Sequence, residues 1–66
     1  MEIVLNGSPH ELEAQQTIAA LVTQLQLTDK AIAVAVNRNV IARGRWEEYQ
    51  LQRNDVVDVV RAIGGG

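Results

Sequence analysis

In TIAALVTQLQLTDKAIAVAV, residues 17–36, the spacing of the apolar side chains changes once, and that change decides the fold class. Ile18, Leu21, Val22 and Leu25 stand at i, i+3, i+4 and i+7, the spacing of one face of a helix. Thr17, just ahead of them, is a residue type that caps helix N-termini by accepting a bond from an otherwise unpaired amide. Ala19, Thr23, Gln24 and Gln26 fall on the other face, so the helix, about Ile18 to Leu25, is amphipathic and must lie on a second layer. From Ala31 the period becomes two: Ile32, Val34 and Val36 share one side of a strand, and Ala31, Ala33 and Ala35 the other.

Working outward, Glu2 to Asn6 (EIVLN) reads as a strand. Asn6-Gly7-Ser8-Pro9 supplies a turn in which Gly takes a positive φ, and His10 to Glu13 is the weak second arm of a hairpin. Beyond residue 36, Asn37-Arg38-Asn39 reads as a turn and Val40 to Ala42 as a short returning strand. Trp46 to Tyr49 forms a helical turn or ordered loop, and these two aromatics are expected to anchor the long connection. Val56 to Arg61 is the last strand, and its near-continuous valines predict a central position covered on both sides. Asp58 interrupts that run and is expected to face solvent or a partner. The order strand, strand, helix, strand, strand, strand predicts an α+β domain: a mixed sheet of four to five strands with one main helix packed on one face.

Composition narrows the function classes. A chain of 66 residues makes one small domain with little area left over for an internal active-site cavity. Its 47% hydrophobic content, almost wholly Ala, Val, Leu and Ile, is enough to pack a helix on a sheet, so a folded domain is expected. With no Cys and a single His there is neither a disulfide nor a metal staple, and stability must come from packing. The absence of Cys, of a leader-like segment and of a long apolar run predicts a cytoplasmic protein without a membrane segment. A net charge of −2 argues against nucleic acid as a partner, and Arg43-Gly44-Arg45 is too short to reverse that.

Catalytic groups are scarce. His10 is expected on an edge strand at the surface with no nucleophile beside it. Glu47-Glu48 and the pair Asp55 and Asp58 read as solvated surface. Asn6 to Pro9 joins two strands and so lacks the strand-to-helix context of a phosphate loop. The expectation is therefore a protein that is not itself an enzyme and binds no metal or cofactor of its own.

The remaining feature is the sequence Gly64-Gly65-Gly66. These residues bring no side chain to a core, and ordering glycine costs more backbone entropy than ordering any other residue. Residues 1–63 are read as the domain and residues 64–66 as a flexible tail reaching ~10 Å beyond it. Such a tail can thread a narrow channel in a partner, pairing through its backbone. Its carboxylate is ionised at neutral pH and can attack a phosphorus electrophile. Composition alone leaves this reading level with that of an incidental glycine linker.

In order and spacing, EIVLNG, TIAALVTQL, AIAVAVN, VIARGRWEEY and NDVVDVVRAIGGG resemble the thiamine-biosynthesis sulfur carrier proteins, which are small ubiquitin-like β-grasp domains. The resemblance spans the whole chain. Its most specific parts are RGRW after the fourth strand and the Gly65-Gly66 ending with Ile63 just before the glycines. The sequence departs from the family in having RND before the last strand, where Gly-Asp is usual, but Asn54 also accepts a left-handed turn. The resemblance implies that a ubiquitin-activating-like adenylyltransferase uses ATP and Mg²⁺ to adenylate the Gly66 carboxylate. Sulfur from a cysteine desulfurase persulfide then displaces AMP, and thiazole synthase draws on the resulting thiocarboxylate. Ile63, Gly64 and Gly65 would thread into the partner. Ala31, Ala33 and Ala35, with Asp58 and neighbouring apolar residues, are candidates for a flat docking face, although alanines packed closely under loops would look the same. Other readings stay open at this point: the small subunit of molybdopterin synthase, a ubiquitin-like modifier, or an interaction domain with an incidental tail.

Overall fold

The computed structural model describes residues 1–14 and 16–61. The expectations for Ile63 and the glycines 64–66 lie outside the described residues. The elements are β1 (Glu2–Leu5), β2 (Ser8–Glu11), α1 (Ile18–Gln24), β3 (Ile32–Val36), β4 (Asn39–Ile41), a 3-10 turn (Arg43–Arg45) and β5 (Val56–Arg61). The five strands form one sheet in the order β2-β1-β5-β3-β4. β1 and β5 run parallel, while β1–β2, β3–β4 and β3–β5 are antiparallel. This is the α+β, β-grasp arrangement: a mixed sheet with one main helix on one face.

α1 begins where expected. The Thr17 hydroxyl accepts the Ala20 amide at 3.1 Å. The two preceding unpaired amides go to the long connection, Ile18 N–H to the Tyr49 carbonyl and Ala19 N–H to that of Trp46. The first turn of α1 is thus finished by residues about thirty positions away. Its end is closed by Gln26 at φ 62, with Gln26 N–H on Thr23 O and Leu27 N–H on Val22 O. The buried stripe Ile18, Leu21 and Val22 packs in one core with Ile3, Ile32, Val34, Val36, Leu51, Val57 and Val59.

Several expected boundaries shift for one reason. Asn6-Gly7 and Asn37-Arg38 each complete a reversal with only two residues at positive φ. β1 therefore stops at Leu5, and β2 is Ser8–Glu11 instead of His10 to Glu13, with Pro9 opposite Val4 on an edge where its missing N–H is tolerated. β4 likewise starts at Asn39 instead of Val40, opposite Val36. The expected helical turn at Trp46 starts earlier, as the Arg43–Arg45 turn with Trp46 as its C-cap. β5 is central, but it is covered on one side only: Val57 and Val59 are buried while Val56 and Val60 are exposed. The single helix covers one face, so the outward valines have no second layer to meet.

Both turn asparagines also hold β5. The Asn6 side-chain oxygen accepts Val59 N–H at 2.8 Å, and the Asn37 oxygen accepts Val56 N–H at 2.9 Å. Asn6→Gly keeps the left-handed turn but strands the Val59 amide, and should cost about 1–3 kcal/mol in urea unfolding. Gln26→Gly acts in the opposite sense, relieving a left-handed non-glycine residue, and should stabilise by about 0.4–1 kcal/mol in the same assay.

Candidate functional site

The face of the sheet turned away from α1 is the site. Strand alternation and cross-strand register decide which residues share it. Ala35 lies opposite Asp58 and Ala33 opposite Val60 on β5, with Val40 opposite Ala35 on β4. On the other flank Val4 is level with Val56 and opposite Pro9, and Glu2 is opposite Glu11. The open face is a row of small and branched apolar groups, with Val40 76%, Val60 57% and Val56 40% exposed. A contiguous apolar surface of this kind on a small domain marks an interface.

Of the residues expected to form this face, Ala33, Ala35 and Asp58 are brought together and each is half-buried. Ala31 is exposed and precedes β3 instead of belonging to it. Val56 and Val60 escaped notice because a run of valines reads as buried on both sides. Their alternation with buried Val57 and Val59 becomes visible only once α1 is known to cover a single face.

On the covered side, Trp46 is an anchor, as expected. It is 5% exposed, and its Nε1–H donates to the Ile41 carbonyl at 2.8 Å. The Arg43 guanidinium lies over the ring, 4.5 Å from its centroid, and donates to the Lys30 carbonyl. A cleft of about 320 Å³ opens beside them, lined by Ala19, Thr23, Arg43 and Trp46 among others. Two expectations need correction. His10 is half-buried on the core side because it stands opposite the buried Ile3; its Nε2 has no partner among the described residues. Asp55 is also half-buried, with one oxygen on the Asn37 amide and the other on Gln52 N–H. Among the described residues, no three His, Cys, Asp or Glu side chains come together that could hold a metal ion. No helix there is long and apolar enough to cross a membrane.

What this geometry offers is an open, largely apolar face with β5 running along its centre. A family model described as the ThiS family matches residues 3–66. The chain belongs to the ThiS family. A thiazole synthase from Magnetococcus marinus is 41% identical to it over 66 residues, which is 100% of this chain and 20% of that protein. The sulfur carrier protein ThiS of Escherichia coli is 29% identical over 66 residues, with 100% of both chains covered. In fold, this chain matches the crystal structure of a thiamine biosynthesis protein (ThiS) from Geobacter metallireducens with a TM-score of 0.88 at 22% identity, covering 100% of both. It spans 20% of the length of the thiazole synthases it matches, one of which is from Paramagnetospirillum magneticum.

The two sides of the sheet should respond differently to substitution. Ala33→Arg sends its side chain off the open face and should leave the thermal midpoint within a few degrees of the parent. Trp46→Phe deprives the Ile41 carbonyl of its donor and should lose about 1–3 kcal/mol by urea unfolding.

Proposed function

We propose that this ThiS-family chain is a sulfur carrier of thiamine biosynthesis and acts as a co-substrate of cytoplasmic partner enzymes. The observation that carries the reading is the family match, which runs through residue 66 and so includes the glycines. The names of the relatives, thiazole synthase and sulfur carrier protein, point the same way.

In this reading the Gly66 carboxylate attacks the α-phosphorus of ATP on a ubiquitin-activating-like adenylyltransferase, with Mg²⁺ on the nucleotide, and pyrophosphate leaves. The acyl adenylate makes the carbonyl electrophilic. A persulfide sulfur supplied by a cysteine desulfurase displaces AMP, and thiol cleavage of the acyl disulfide releases the thiocarboxylate to thiazole synthase. The chain suits this role because it has no Cys of its own to capture the activated carbonyl. Ile63, Gly64 and Gly65 carry the reacting end into the partner, and the absence of Cβ atoms on the glycines lets a narrow channel close around them. Ala33, Ala35 and Asp58, with Val40, Val56 and Val60, form the docking face, and Ala31 stands at its margin.

The test is intact mass after incubation with ATP, cysteine and an extract of the source organism. The expected result is a gain equal to exchanging one oxygen for sulfur, located by fragmentation at Gly66 and lost when Gly65 and Gly66 are deleted. An unchanged mass in an extract that still makes the thiazole would overturn the reading. Ala33→Arg, although folded, should slow adenylation at least tenfold, since a charge at the centre of an apolar contact costs about 2 kcal/mol or more.

A further inference from the structure

Two turns of the same kind stand in this chain with different second residues. Asn6-Gly7 has φ values of 50° and 83°, and Asn37-Arg38 has 51° and 73°. Both turns need left-handed backbone at both positions, and glycine adopts it without the clash that a Cβ brings. The β1–β2 hairpin has glycine there and the β3–β4 hairpin has arginine, in the less favourable choice for folding alone. Gln26 also takes a positive φ, but it is neutral and lies at the end of α1 on the covered side of the sheet.

Arg38 is exposed, and among the described residues it enters no ion pair or side-chain hydrogen bond. Its position is nevertheless tightly held. Asn37 donates its backbone N–H to Val56 O at 2.7 Å, donates Nδ2 to Asp55 at 3.1 Å and accepts Val56 N–H at 2.9 Å. The backbone beneath the guanidinium is thus held in place, so pairing has only the side chain itself left to order.

We propose that Arg38, in the β3–β4 turn at the rim of the sheet, is an orientation-setting contact, pairing with a carboxylate on the adenylating partner. The inference rests on the carrier reading above. A surface of Val and Ala attracts an apolar partner without direction, because burial depends on area and not on angle. Yet a carrier must dock in one rotation only, or its tail misses the channel. The charges around the face supply that direction. Glu2 lies on the β2–β1 flank, where Glu11 is already paired with the N-terminal amine at 3.1 Å, and Asp58 lies near the centre, whereas Arg38 joins β3 to β4 on the opposite flank. A partner basic across from the carboxylates and acidic across from Arg38 fits in one rotation, and half a turn brings like charges together. Arg38 also sits at the opposite end of β5 from Arg61. β5 starts beside Asn37 and ends with Arg61 level with Ile32, so the contact fixes the docking angle with a lever roughly 20 Å long at ~3.3 Å per residue.

The experiment compares Arg38→Gly, Arg38→Gln and Arg38→Lys with the parent for thermal midpoint and for single-turnover adenylation by the source organism's adenylating enzyme at low and high salt. Arg38→Gly should melt about 2–6 °C higher, because the strain is relieved. It should nonetheless be adenylated about 3–10-fold more slowly at low salt, a difference that closes near ~0.5 M salt, where screening is short-ranged. Arg38→Gln keeps the strain and should show the same slowing without the gain in midpoint. Arg38→Lys should stay within about twofold of the parent, since a rim contact needs charge more than fork geometry. If Arg38→Gly and Arg38→Gln are adenylated at the parent rate at low salt, the inference is overturned and the carrier reading stands. If the parent itself is never adenylated, both fall together.

Discussion

Two amides in β5 are satisfied by side chains, and the sheet depends on them. Val56 N–H goes to Asn37 and Val59 N–H to Asn6, the first residues of the two hairpin turns. Each asparagine therefore does two things at once, taking the left-handed conformation that closes its own hairpin and gripping the strand between the hairpins. An unpaired amide in the middle of a sheet is expensive, so the position of β5 along its neighbours is tied to where the two turns fall. A slip of one residue would break both grips and send Val57 and Val59 out of the core.

The same arrangement leaves one face of the sheet open. With one helix for five strands, only one face of the sheet is covered, and the other is left as apolar surface broken by Asp58. A buried charge in a core would need a partner, whereas on an open face Asp58 remains half-solvated and serves solubility until something docks. Alanines on β3 keep that face smooth where branched residues would roughen it. In the proposed carrier role, chemistry is left to a partner, and the domain supplies a surface and a direction.

Much of this was legible in the residues. The helix from Ile18, its Thr17 cap, the alternation of β3 and the exact span Val56–Arg61 follow from spacing and from capping chemistry, which are local. What could not be read was set by tertiary partners. Whether Val56 and Val60 are covered depends on how many helices exist, not on β5 itself. The early start of β2 depends on Asn6-Gly7 closing the turn alone, and Pro9 within a strand reads as a breaker until the strand is known to be an edge. His10 is half-buried because the hairpin register sets it opposite the buried Ile3. The grip of Asn6 on Val59 spans 53 residues, and no window of sequence contains it.

That span bears on how the protein is made. β1 and β5 are neighbours in the sheet but stand at opposite ends of the described chain, so the β1–β2 hairpin waits, one edge unpaired, until residues 56–61 have left the ribosome. Contacts of such long range are slow to form, because the closing entropy of the intervening loop comes before any of their benefit. The nascent protein therefore has no native sheet to offer a partner at any earlier length. A chain cut short before residue 61 consequently presents no complete open face.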